Sequence, residues 1–70
     1  MKYLIVIEET HTGYSAYSPD IDGCISTGAT LNEIKHNMQE AIELHLEGLQ
    51  EEGYQIPVPT SSTAYLEVPV

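Results

Sequence analysis

Basic residues are nearly absent from this chain of 70 residues. Lys2 and Lys35 are the only two, against eleven Asp and Glu, and the formal net charge is −9. Contact with nucleic-acid phosphates requires clustered Lys and Arg, so the charge argues against nucleic-acid binding by the chain alone. The same charge favours a basic partner.

Long apolar runs and cysteine pairs are also missing. A membrane span needs about 20 consecutive apolar residues, and no run in the chain approaches that length. The beginning of the chain also lacks the apolar core and the cleavage site of a signal peptide. The one cysteine, Cys24, cannot form an internal disulfide, which is typical of the reducing cytoplasm. No glycine-rich phosphate loop or Cys/His metal spacing occurs, so neither a cofactor nor a metal is predicted.

Three short strands are predicted in the first part of the chain, over residues 2–8, 14–18 and 24–28. Tight loops that contain Gly13 and Gly23 separate them, so they form an antiparallel meander. The first strand is apolar on both faces and is therefore expected to be central and covered on both sides.

One long helix follows these strands. Thr30-Leu31-Asn32-Glu33 matches a capping box, and the helix is predicted to run from there to about Glu52, with Gly53 as its C′ residue. A spacing of about 100° per residue gives the helix an apolar face. The members of that face are Leu31, Ile34, Met38, Ala41, Ile42, His45 and Leu49.

The last part of the chain is predicted to be extended. Residues 56–59 contain two prolines and cannot continue the helix, and residues 64–68 have the pattern of a fourth, edge strand. Residues 1–70 then form a single α+β domain with the order β-β-β-α-β. Its four-stranded mixed sheet is expected in the order 3-2-1-4, with the fourth strand parallel to the first and the helix on one face.

One helix covers only one face of such a sheet, which leaves apolar residues on the other. A domain of this size buries only about 60% of its unfolded surface, so association is a natural way to complete its core. We therefore expect a homo-dimer, a tetramer or an obligate partner. Alternatively, Tyr14, Tyr17 and Tyr65 cover the open face with their own rings.

Several segments together resemble the HicB-like antitoxin family. Residues 14–24 read YSAYSPDIDGC and resemble its G-Y-x-A-x-x-P-D-L-P-G-C signature. Residues 28–33 match a G-x-T-x-x-E helix entry, residues 40–47 resemble the end of the family's helix, and residues 53–59 resemble a G-x-x-I-P-x-P exit. The segments cover almost the whole chain in the right order and spacing.

The resemblance implies a partial ribonuclease-H-like fold without enzymatic activity. It also implies an antitoxin that binds and blocks a HicA-like toxin, a small basic protein that cleaves mRNA. Many family members carry a C-terminal DNA-binding domain, whereas this chain stops at Val70, so DNA-binding autorepression is not expected. The alternative is an orphan homo-oligomer without a toxin partner.

Two groups of residues are candidates for the partner interface. Tyr3, Ile5, Tyr14 and Tyr17 are expected on the free face and edge of the sheet, as an aromatic binding surface or as ordinary sheet packing. Glu43 and Glu47 belong to an acidic helix side that either attracts a basic partner or is simply a solvated face.

Residues that could carry chemistry have simpler structural explanations. Asp20 and Asp22 could bind a divalent metal in a nuclease, but two carboxylates without a third acid fit a turn better. His45 lies in the apolar face, where a core or interface role is expected. Cys24 lacks a neighbouring base and is expected to be a small buried residue. No enzyme is predicted.

Overall fold

The computed structural model describes residues 1–70, in which three strands precede a single long helix. The elements are β1 (Val6–Glu9), β2 (Tyr14–Tyr17), β3 (Ile25–Gly28) and α1 (Leu31–Glu51). The predicted α+β class, meander and helix are therefore confirmed. The helix is too polar to meet the requirements of a membrane span.

The sheet is purely antiparallel, with the order β1-β2-β3 and β2 at its centre. The predicted mixed, four-stranded sheet is wrong, and so is the central position of the first strand, since β1 pairs only with β2. Residues 64–68 form no strand, because no backbone hydrogen bond joins them to β1. A strand pattern alone does not form a strand without a paired neighbour.

Both ends of α1 are capped as the sequence predicts. The Thr30 hydroxyl accepts a hydrogen bond from the backbone N–H of Glu33 at 3.1 Å, which satisfies one free donor of the first turn. At the other end Gly53 adopts a φ of 77°, which favours glycine. The Tyr54 N–H then donates to the Leu49 carbonyl and the Gly53 N–H to that of Gln50, forming a Schellman motif.

The core lies between α1 and one face of the sheet. Its buried members are Ala16, Ile21, Cys24, Ile34 and Met38. The helix backbone comes close to the end of β3, where a Cβ atom on Gly28 would lie 2.8 Å from the Ile34 nitrogen. Leu31, expected on the apolar face of the helix, is instead about half exposed, whereas Ile34 in the same turn is fully buried.

The chain after the helix is extended and is held at two points. The Tyr3 hydroxyl donates to the Pro57 carbonyl at 2.6 Å, and the Asp20 carboxylate accepts hydrogen bonds from Thr60 and Ser61. Beyond Ser61 every residue is exposed. The radius of gyration is 13.9 Å, against about 11 Å for a compact chain of this length, because this segment leaves the body of the domain.

Candidate protein-binding site

An apolar row crosses the sheet face that the helix leaves open. Val6 pairs with Tyr17, and Tyr17 pairs with Ile25 on the next strand. Their strand neighbour Ala16 faces the helix, and side chains alternate along a strand, so this row points away from the helix. Tyr17 is 41% exposed and Ile25 72%. The row is therefore a partly exposed apolar surface on the side of the sheet opposite the helix.

The exposed side of α1 carries a line of glutamates. Glu40, Glu43, Glu47 and Glu51 follow one another at intervals of three or four residues, and all are exposed. Glu40 lies 2.7 Å from the His36 imidazole, and Glu43 accepts a hydrogen bond from Gln39 at 3.1 Å. The last turn contains no basic residue. The helix therefore presents a strongly negative surface.

Leu44 lies within this acidic line and is 68% exposed. It follows Glu40 by four residues and precedes Glu47 by three, so it shares their side of the helix. An apolar anchor surrounded by charge is a common arrangement at protein interfaces. Sequence reasoning missed Leu44 because it followed the apolar face, although a leucine outside that face was a visible sign.

The six predicted interface residues occupy different environments. The expected position on the free face is correct for Tyr17 but wrong for Tyr3, Ile5 and Tyr14, which are half-buried against the core on the helix side of the sheet. The reason is the alternation of side chains along the strands, which places these three on the same face as Ala16. Glu43 and Glu47 are exposed on α1. The structure thus places Tyr17 in the apolar row on the open face, apart from Glu43 and Glu47 on α1. Contact of these residues with a partner stays a prediction.

A groove of about 570 Å³ separates the beginning of the chain from the middle of α1. Tyr3 and Glu43 both line it. Its other lining residues are Met1, Lys2, Gln39, Ile42, Leu46 and Ile56. Most of the lining residues are apolar, and Lys2 and Glu43 are the charged ones, which suits an apolar side chain of another polypeptide.

The Asp20 carboxylate binds the chain itself. The Ser61 hydroxyl donates to Oδ1 at 2.8 Å, the Ser61 N–H to Oδ2 at 3.2 Å and the Thr60 hydroxyl to Oδ1 at 3.2 Å. The Ser61 hydroxyl is the main cause of a lowered pKa at Asp20, followed by the backbone N–H groups of Ser61 and Thr60. No cluster of three potential metal ligands exists in the structure.

Cys24 and His45 have structural environments. Cys24 is buried in the core, and its burial raises the pKa of the thiol, so the sulfur stays protonated and weakly nucleophilic at neutral pH. The prediction of a small buried residue is confirmed. His45 is half-buried beside Leu49 and Tyr54 at a shallow surface groove.

Comparison with protein families gives a match that extends over residues 3–69. The matching family is described as the HicB-like antitoxin of a bacterial toxin–antitoxin system. An uncharacterized 14.9 kDa protein of Haemophilus phage HP1 is 39% identical over 99% of this chain, which spans 52% of the phage protein. A UPF0150 protein of Synechocystis is 41% identical over 79% of this chain and 71% of its own length.

Two solved structures are similar in fold. One is a HicA3–HicB3 toxin–antitoxin complex, in which a chain with 42% identity superposes with a TM-score of 0.74 over 86% of this chain and 70% of its own. The other is the antitoxin HicB3, with 42% identity and a TM-score of 0.73 over 86% of this chain and 44% of its own. The chain thus spans about half the length of some of its relatives.

Proposed function

The chain belongs to the HicB-like antitoxin family of bacterial toxin–antitoxin systems, and on that basis we propose that it binds and neutralises a small, basic, mRNA-cleaving HicA-like toxin. One observation carries this proposal: a structural neighbour with 42% identity over 86% of the chain comes from a toxin–antitoxin complex. The TM-score of 0.74 indicates that the two chains share the fold on which such an interface would be built.

The charge of the domain supports a basic partner. Glu43, Glu47 and Glu51 have no basic side chain within 4 Å, since the only such contact in the chain is His36–Glu40. Like charges four residues apart destabilise a helix by a few tenths of a kcal/mol, so local stability does not explain this arrangement. Complementary charge would increase the association rate and orient a basic toxin on the helix.

The test is binding to a purified HicA-like toxin by calorimetry, at low and at high salt. The double variant Glu43→Lys/Glu47→Lys should weaken the complex about tenfold or more at low salt, because it reverses charge where the toxin is expected. The difference should shrink at high salt, where exposed charges are screened.

A matched control distinguishes the effect of charge on α1 from the effect of the net charge on toxin affinity. The double variant Glu8→Lys/Glu9→Lys makes the same change in net charge at the end of β1, away from the acidic helix side. It should bind nearly as tightly as the natural chain. Equal affinity of both doubles would contradict electrostatic recognition by α1, and no binding to any HicA-like toxin would contradict the antitoxin function itself.

A second candidate function is an orphan homo-oligomer, a dimer or tetramer without a toxin. The apolar row of Val6, Tyr17 and Ile25 on the open sheet face favours it, because a second copy could cover that face. A pull-down that recovers only the bait, together with a stable oligomer in light scattering, would support this alternative.

We also propose that the domain is a partial ribonuclease-H-like fold that acts in the cytoplasm, without catalysis and without direct contact with nucleic acid. The hydrogen bonds from Thr60 and Ser61 to Asp20 support a structural role for that carboxylate. Incubation with an RNA–DNA hybrid and magnesium should give no cleavage. Cleavage that disappears in Asp20→Asn would contradict this view.

A further inference from the structure

The last nine residues have the pattern of a strand but no partner in the chain. Residues 62–70 are exposed throughout, and their only backbone hydrogen bond joins Val70 to Val68. Leu66 is 85% exposed and Val68 65%. We call residues 62–70 the tail. An extended segment with exposed apolar side chains and unpaired backbone groups is a template for pairing with another chain.

The sheet offers a matching free edge. β1 pairs with β2 on one side only, so the backbone groups on its other side have no partner. The groove lined by Tyr3, Ile42 and Leu46 opens between the segment leading into β1 and the helix. We infer that the tail of one copy adds as an outer strand to the β1 edge of a second copy and places its apolar side chains in this groove.

Pro69 determines which side of the tail faces β1. Proline lacks an N–H, so in an outer strand it fits where the backbone points to solvent. The backbone groups of successive residues point to opposite sides of a strand, so the N–H and C=O of Leu66 and the N–H of Val68 then point toward β1, while the Val68 carbonyl accepts from the Val70 N–H. Their side chains share one face of the strand, the apolar one, while Tyr65 and Glu67 lie on the other.

The tail is almost uncharged, and its length suits contact with a second copy of this chain. The net charge of −9 makes two copies repel each other, but Glu67 is the only charged side chain after residue 52. A stable dimer buries about 1,200–2,000 Å² in total, so each of two reciprocal contacts must supply about 600–1,000 Å². At about 3.3 Å per residue the tail spans about 30 Å, which is enough to cover the length of β1.

Light scattering on the full chain is the first test. We expect a dimer at micromolar concentration, and a monomer with unchanged far-ultraviolet circular dichroism after deletion of residues 62–70. A monomeric full chain would overturn the inference, because the tail would then have no second copy to bind. A dimer that survives the deletion would also overturn it and would assign association to the open sheet face.

Two proline variants test the tail without removing it. Val68→Pro removes an N–H that should face β1, and it should weaken dimerisation about tenfold or more. Glu67→Pro removes an N–H that should face solvent, and it should leave the dimer constant within about twofold. Equal effects of the two variants would contradict the strand pairing. The result does not depend on any toxin, so it stands apart from the antitoxin test.

Discussion

Asp20 and Ser61 lie 41 residues apart in the chain and are joined by two hydrogen bonds. The Ser61 hydroxyl donates to one carboxylate oxygen at 2.8 Å, and the Ser61 N–H donates to the other at 3.2 Å. The pair fixes the segment after the helix to the loop between β2 and β3, so the position of this loop determines where the tail begins.

The attachment of Ser61 to Asp20 should depend on pH. The hydrogen bonds hold the pKa of Asp20 below its ordinary value of 3.8, so the stabilisation is present above pH 3.8 and is lost as the pH falls through the lowered pKa. The amide shift of Ser61 in NMR should therefore titrate with a midpoint below 3.8. Asp20→Asn should remove this transition and Asp22→Asn should not; a midpoint at or above 3.8 would contradict the prediction.

Gly28 should tolerate no larger residue. A Cβ atom there would lie 2.8 Å from the Ile34 nitrogen, and a backbone atom cannot move aside as a flexible side chain does. Gly28→Ala should lower the free energy of unfolding by about 1–3 kcal/mol in urea. Gly48→Ala is the control, since nothing lies near its Cβ position, and it should raise stability by about 1 kcal/mol through helix propensity. Equal effects of the two changes would refute the close contact.

The Thr30 cap should contribute to the stability of the helix. Its hydroxyl accepts from the Glu33 N–H at 3.1 Å, so Thr30→Ala should cost about 1 kcal/mol in the free energy of unfolding. Thr30→Ser keeps the acceptor and should cost much less. If the serine and alanine variants unfold at the same urea concentration, the hydrogen bond is not the source of the stability.

A basic side chain in the last turn of α1 should stabilise the helix. Glu51 lies at the negative end of the helix dipole and four residues after Glu47, so Glu51→Lys should raise stability by about 0.3–1 kcal/mol at low salt. Glu33→Lys, in the first turn, should have the opposite sign. Both effects should decrease in 1 M salt, and a gain that persists there would have another cause.

The local parts of the fold were predictable from the sequence. These parts depend only on residues a few positions apart, so the sequence alone predicts them. They are the capping box at Thr30, the helix end at Gly53 and the β-branched strand segments. The helix begins at Leu31 and ends at Glu51, close to the predicted limits. The strand ends were predicted less accurately, since β1 starts at Val6 whereas the sequence predicted a start at residue 2.

The contacts between distant segments were not predictable. The bonds from Tyr3 to Pro57 and from Asp20 to Ser61 join residues 54 and 41 positions apart, and no periodicity encodes such pairs. Asp20 was interpreted as a turn residue, and its carboxylate in fact reaches the segment after the helix. The sequence also did not predict which face of the sheet the helix covers, since a shift of one residue in strand register exchanges the two faces.

The hydrogen bonds at Asp20 also reduce the entropic cost of ordering the chain end. Fixing the backbone of one residue costs about 1–2 kcal/mol in conformational entropy. Without these bonds the last fixed point of the chain would be Pro57, which binds Tyr3, so residues 58–70 would all have to be immobilised when the tail meets a partner. With Thr60 and Ser61 already attached to Asp20, only residues 62–70 remain to be ordered. The loss of conformational entropy on binding is therefore that of a short segment.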